Sequence, residues 1–237
     1  MIAALRYVIS MFCCTVYHAA RIVFAATRGE PYVPGGIFDE GPRQYARDLV
    51  RINRIVLRGE GLEQVEGLGP CVFVANHQSW LDIIAVLVLL PGSVRFVAKR
   101  ELGRVPLFGP AMRAAGHIEV DRRDLRSAVS AYEEAGRVIR GGFSAMVFPE
   151  GTRSRDGRLQ PFKKGPFVLA IVAQVPVVPV VILGSHEALP RGSLRPRPVP
   201  ITVRLGDPIP TAGLAYADRD ALSDRVRAAM LALGARA

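Results

Sequence analysis

The spacing of apolar positions divides the chain into a greasy N-terminal stretch, a polar break, an amphipathic stretch, and a long alternation of short apolar runs with helical patterns. Residues 1–26, MIAALRYVISMFCCTVYHAARIVFAA, are the most hydrophobic end, and Arg6 and Arg21 bracket a run whose one imidazole is His18. That run is shorter than the ~20 residues a helix needs to cross a bilayer, although snorkelling arginines extend it to residues 2–24. Arg21 interrupts the apolar stretch where a signal-peptide cleavage site would fall. The pattern therefore predicts a helix embedded in one leaflet or lying on the membrane surface, with a full span, a cleaved signal and a core helix as alternatives. Residues 27–42 are rich in Gly and Pro and predict a loop. RQYARDLVRINRIVL then places Ala46, Leu49, Ile52 and Val56 on one helical face, with Arg43, Arg47, Arg51, Arg54 and Arg58 off it. An arginine-lined amphipathic helix suits an anionic membrane surface, and an ordinary helix with a solvated basic face is the alternative.

From Leu68 onward strands alternate with helices. CVFVA (71–75), VRFVA (94–98), HIEV (117–120), AMVF (145–148), VVPVVIL (177–183) and PITVRLG (200–206) read as strands, and Pro179 suggests an edge or a strand end for its run. Residues 83–90 read as a buried helix ended by Pro91-Gly92, residues 124–140 as a helix stopped by Gly141-Gly142, and Pro166 as a first helical residue before FVLAIVAQ. A closing helix over 218–233 carries Leu222, Val226, Met230 and Leu233 on one stripe. This alternation predicts an α/β layered domain. The expected division is a membrane-associating helical segment over 1–60 and an α/β domain over 61–237.

Length and composition narrow the partners rather than the fold. The 237 residues can form a core without a disulfide or metal staple. With 50% hydrophobic and 22% charged residues the chain is no disordered polymer, and no apolar run suggests a polytopic membrane protein. Lys and Arg number 31 against 21 acids, a net +10 that points to an anionic partner: nucleic acid, a phospholipid surface or a phosphorylated substrate. Aromatic residues are only 7%, are not interleaved with the basic ones, and accompany no binding motif, which argues against nucleic acid. Cys13, Cys14 and Cys71 have no CxxC or zinc-type spacing and read as buried small hydrophobes.

Two heptapeptides follow predicted strands, where open α/β sheets place their ligands. In Asn76-His77-Gln78-Ser79-Trp80-Leu81-Asp82, Ser79 reads as a helix N-cap with Asp82 as the reciprocal capping partner. His77 then lies outside the helix and can fold back toward Asp82, whose carboxylate would fix its tautomer and strengthen Nε2 as a base. A purely capping role for Asp82 is the plain alternative. In Phe148-Pro149-Glu150-Gly151-Thr152-Arg153-Ser154 the Pro and Gly predict a turn with outward N–H groups, and Arg153 supplies a fork for phosphate oxygens. Lys99 and Arg122 follow two further strands and reach the same edge if the strands run parallel. A serine hydrolase lacks its GxSxG elbow here, and a phosphate-binding NTPase lacks GxxxxGK[ST].

NHQSWLD fits the NHxSxxD pattern, an HX4D motif, of the glycerolipid acyltransferase family, and FPEGTRS matches that family's second hallmark. GHIEVDR (116–122) and VPVVPV (175–180) resemble its remaining blocks, in order, over residues 68–210. Within the family the chain is most similar to bacterial members acting on 1-acylglycerol 3-phosphate; Glu119 departs, standing where the family more often has an apolar residue.

The resemblance implies a mixed, largely parallel sheet flanked by helices, at the cytoplasmic face of a bacterial inner membrane. It implies acyl transfer from acyl-CoA or acyl-carrier protein to the sn-2 hydroxyl of lysophosphatidate, with His77 as general base and Asp82 steadying the imidazolium. Lys99, Arg122 and Arg153 would hold the acceptor phosphate with the Gly151-Thr152 turn, and Glu150 would orient Arg153 and the turn. No metal or cofactor is expected beyond the donor. Another acceptor (another lysophospholipid, a lyso-ornithine lipid or glycerol 3-phosphate) and a non-catalytic lipid-binding protein are the competing readings.

Overall fold

The computed structural model describes residues 2–120, 135–137 and 139–237. Its centre is a seven-stranded sheet of β1 (Leu57–Glu60), β2 (Val72–Ala75), β3 (Val94–Lys99), β4 (Ile118–Val120), β5 (Ser144–Val147), β6 (Val177–Leu183) and β7 (Ile201–Leu205). The strands lie in the order β1-β7-β6-β2-β5-β3-β4. From β6 to β4 every pairing is parallel, whereas β7 runs antiparallel to β6 and pairs in parallel with β1. The expectation of a mixed, largely parallel sheet therefore holds.

Parallel strands covered on both faces need apolar side chains on both, which is why β2 reads VFVA and is buried throughout. Phe73 and Ala75 face one layer, with α3 (Leu81–Leu89) and its neighbours; Val72 and Val74 face the other, built from α5 (Gly165–Ala173) and α7 (Arg219–Ala232). On the α3 side lie α1 (Ile2–Thr27), α2 (Ile37–Asn53) and α4 (Phe108–Ala114), while the short α6 (Ser185–Ala188) follows β6. Leu222, Val226 and Met230 form the buried stripe of α7, as their spacing predicts.

Helix α1 is continuous, long and apolar enough to cross a membrane by length and composition, yet it packs along the domain. Its Ala19, Ile22 and Ala25 meet Phe38 of α2 and Ala111 of α4, and Cys14 meets Ala46 and Leu49 of α2. The opposite face leaves Ile2, Leu5, Ile9, Phe12, Tyr17 and Phe24 exposed. The expected division at residue 60 falls directly after β1, which pairs with β7 in the sheet.

Several expectations are corrected. The loop predicted over 27–42 ends at Gly36, because Ile37 and Phe38 dock and draw the chain into α2 with Pro42 inside it. Ala46 and Leu49 are buried, but Ile52 and Val56 are exposed; Asn53 takes the inward position and donates to Ser10 Oγ of α1 at 2.9 Å. Arg43 is no membrane-facing cation: its guanidinium donates to the carbonyls of Leu87 and Gly92 at the end of α3. Cys13 is exposed. Strand β6 is central, not an edge. The Pro179 carbonyl accepts from Gly206 N–H, so its missing N–H faces the same side. There the ladder to β7 slips by one residue, between Val180↔Leu205 and Val177↔Ile209. Most of the helix expected over 124–140, and Arg122, lie outside the described residues.

Candidate active site

The parallel run of β2, β5 and β3 brings three sequence-distant segments to one edge of the sheet. His77 follows β2, and its Nδ1 lies 2.8 Å from Asp82 Oδ2 in the first turn of α3. The same oxygen accepts the backbone N–H groups of Gln78 at 2.6 Å and Ser79 at 2.7 Å. Asp82 is fully buried, so this carboxylate is oriented by three donors in a water-free setting, and it fixes the imidazole's tautomer. The reciprocal half of the expected capping box is thus present. Ser79 Oγ departs from it, accepting from Leu81 N–H at 3.2 Å and donating to the Leu189 carbonyl at 2.8 Å. The His77 ring stacks on Phe148, 4.1 Å between centroids and 18° between planes. Asn76 exchanges two hydrogen bonds with the backbone of Ile182, which ties the β2 end to β6.

The turn after β5 is bound to the same segment. His77 N–H donates to Glu150 Oε1 at 2.8 Å, and Ser154 N–H donates to the His77 carbonyl at 2.7 Å. Gly151 holds a φ of +75°, a conformation that suits glycine and would strain a side chain. Glu150 is 4% exposed and gives its second oxygen to Gln160 N–H at 3.2 Å. It therefore orients the turn as expected, but its partners are backbone groups rather than Arg153, and it does not line the cavity. Burial pushes its carboxyl up to about 7 against the lowering pull of those two N–H donors.

A cavity of about 330 Å³ opens beside His77. Its lining includes His77, Lys99, Gly151, Thr152 and Arg153, which brings together five of the eight residues singled out from the sequence. Asp82 and Glu150 stand behind the wall, and Arg122 lies outside the described residues. Lys99 pairs with Glu101 at 3.0 Å, and the Arg153 guanidinium lies 4.9 Å from the ring centre of Trp80, the single tryptophan. The rest of the lining is mostly apolar, including Ile22 of α1, Leu87 of α3, Phe96 of β3, and Ala111 and Met112 of α4, with Thr15, His18, Tyr45 and His117 as its polar members. Glu119 is turned away from it, accepting from Arg113 at 3.1 Å, so its departure from the family pattern does not touch this cavity. Arg155, Arg158 and Lys164 also lie off it; Arg158 donates to the Ala237 carbonyl and Lys164 pairs with Asp220. Among the described residues no group of three or more His, Cys, Asp or Glu is placed to hold a metal ion.

Sequence reasoning missed His117 and Arg191. His117 Nδ1 accepts from Phe96 N–H at 3.1 Å, and burial pushes the ring's pKa down to about 3, which leaves a neutral imidazole in the cavity wall. Arg191, on the loop after α6, donates to the Arg153 carbonyl at 3.2 Å. His117 lies within the GHIEVDR block but reads there only as a strand residue, Arg191 belongs to no motif block, and only the packing of distant segments places either side chain.

An imidazole with an oriented carboxylate thus lies beside cations and a mostly apolar cavity, on a doubly covered α/β sheet. A family model described as Acyltransferase matches residues 56–183, more than half of the chain, and the chain belongs to that family. It is 41% identical over 141 residues to a 1-acyl-sn-glycerol-3-phosphate acyltransferase of Cocos nucifera, covering 59% of this chain and 46% of that one. It is 40% identical over 163 residues to the human 1-acyl-sn-glycerol-3-phosphate acyltransferase alpha, covering 68% and 58%. The chain spans about half the length of the curated relatives it matches. Among solved structures, the 1-acyl-sn-glycerophosphate (LPA) acyltransferase PlsC of Thermotoga maritima aligns with a TM-score of 0.79 at 25% identity, covering 100% of this chain and 96% of that one.

Proposed function

We propose that the protein transfers a fatty acyl group from an acyl thioester, acyl-CoA or acyl-carrier protein, to the sn-2 hydroxyl of lysophosphatidate, giving phosphatidate. The observation that carries this reading is the 2.8 Å contact between His77 Nδ1 and the buried Asp82, in a cavity that also holds Arg153 and Lys99. Among the described residues nothing occupies His77 Nε2, which leaves it free to accept a proton. The names of the relatives support the same acceptor.

In this mechanism His77 Nε2 takes the hydroxyl proton as the acceptor oxygen bonds to the thioester carbonyl carbon. The imidazolium so formed is stabilised by Asp82. The tetrahedral adduct collapses by breaking its carbon–sulfur bond, and the proton on His77 passes to the departing thiolate, so base and atoms are restored. A thiol with a pKa near ~8.5 leaves without a strong acid. Lys99 and Arg153 hold the phosphate, with Arg122 as a further candidate, and contribute positioning rather than bond-making. The apolar part of the cavity takes an acyl chain, and the exposed face of α1 rests in a membrane, at the cytoplasmic face of a bacterial inner membrane.

Purified protein given an acyl-CoA should acylate lysophosphatidate and not the matching monoacylglycerol, and His77→Ala should lose the transfer. Equal rates on the two acceptors would exclude the phosphate site, and an active His77→Ala would exclude the mechanism.

A further inference from the structure

Resting on that reading, we propose that Arg191 completes a two-guanidinium clamp with Arg153 that selects a phosphate monoester headgroup over a phosphodiester. Arg191 Nη1 donates to the Arg153 backbone carbonyl at 3.2 Å, which holds its guanidinium within electrostatic reach of the Arg153 cation although the two charges repel. Among the described residues no carboxylate pairs with either guanidinium: Arg153 has the face of Trp80, and Arg191 has a backbone carbonyl. Arg153 lines the cavity and Arg191 is tied to its backbone from outside the lining; like charges held this near each other are relieved by an anion, and guanidinium forks match phosphate oxygens in pairs.

The loop that carries Arg191 is built onto the catalytic motif. Ser79 Oγ, inside NHQSWLD, donates to the Leu189 carbonyl at 2.8 Å, and Leu189 is buried. Ala188 accepts from Arg197 N–H at 2.7 Å and Pro190 from Ser193 N–H at 3.0 Å, which closes the loop on either side of Arg191. The segment that supplies the base thus also sets the second cation. Arg195 and Arg197, further along the loop, are exposed like Arg191, and of the three it is Arg191 whose guanidinium bonds the turn at Arg153.

A phosphate monoester carries about −1.5 to −2 charges at pH 7, enough for both guanidinium groups. A phosphodiester headgroup has one charge and two esterified oxygens, so it satisfies one fork and crowds the other. The clamp therefore assigns lysophosphatidate as acceptor and disfavours lysophospholipids with an esterified headgroup.

The test compares lysophosphatidate with lysophosphatidylglycerol in detergent micelles at saturating acyl-CoA, for the wild type, Arg191→Ala, Arg191→Lys and Arg195→Ala. Arg191→Ala should raise KM for lysophosphatidate at least tenfold with kcat within twofold, and should lower the monoester-to-diester ratio of kcat/KM by the same factor. Arg191→Lys should recover part of this, and Arg195→Ala should behave as wild type. An unchanged ratio would overturn the proposal, as would a rise in KM for acyl-CoA alone, which would assign Arg191 to the donor. Equilibrium binding of short-chain lysophosphatidate to the same proteins reads the clamp without turnover: equal affinity of wild type and Arg191→Ala overturns it. A wild type that binds the monoester but acylates neither acceptor would instead overturn the transferase reading.

Discussion

Glu150 Oε1 accepts the backbone N–H of His77 at 2.8 Å, so a buried acid from the second heptapeptide holds the chain at the base of the first. Its carboxyl is raised from an ordinary 4.5 to about 7, chiefly by burial. A raised acid binds its proton more tightly in the folded than in the unfolded state, so its contribution to stability is lost as pH rises from 4.5 to 7. That loss amounts to about 3 kcal/mol at most. Glu150→Gln should unfold along a flatter stability–pH curve over this window, at a constant cost for the N–H that loses its acceptor. Chemical denaturation at pH 5 and pH 7.5 measures this; parallel curves for the two proteins would refute it.

Asp82→Asn keeps the shape of the side chain but removes the charge opposite the imidazolium and offers one acceptor oxygen. We expect kcat to fall by roughly 10²–10⁴, with KM for lysophosphatidate within about threefold. Asp82→Ala should in addition destabilise the fold, because the N–H groups of Gln78 and Ser79 are left without their acceptor. A purely capping Asp82 would show the stability loss in both variants and an unchanged kcat in the folded protein.

Ala115, 1% exposed, lines the apolar cavity between α1 and α4. Ala115→Leu should shorten the acyl chain the protein accepts. Expelling two methylenes at about 0.8 kcal/mol each corresponds to roughly a tenfold loss in kcat/KM for long donors relative to shorter ones. A chain-length profile over a series of saturated acyl-CoA donors measures the shift, and an unmoved optimum would place the chain elsewhere.

Leu5 and Phe12, 61% and 70% exposed, stand on the outer face of α1. Replacing both with Glu should weaken sedimentation with anionic vesicles by at least about 100-fold, since each large apolar side chain withdrawn from the membrane forfeits about 1.5–3 kcal/mol. Retained binding would show that α1 does not face the bilayer.

Much of this molecule was legible from local pattern. The continuous apolar runs of β2 and β6 and the Leu222, Val226, Met230 stripe of α7 require nothing but neighbouring residues to be recognised. The approach of His77 to Asp82 is likewise local, five residues apart across one helix start. Where reading failed, a distant partner had overruled the local signal. Pro179 suggests an edge or a strand end, yet its strand is central, with its missing N–H on the β7 side where the register is offset by one residue. Asn53 is turned inward by Ser10 of another helix, and Arg43 by the carbonyls at the end of α3.

The amino-acid order by itself determined the α/β alternation, the imidazole with its carboxylate, and the presence of Arg153 beside a glycine turn. Those features depend on residues within a turn or two of one another. Tertiary structure alone decided that α1 shows one apolar face to the protein and another to its surroundings. It alone gave Glu150 to the backbone of His77, and brought Arg191 against Arg153 across 38 positions of chain. Contacts between distant segments follow from how layers pack and which buried donors find acceptors, and no pattern in a short stretch records that outcome.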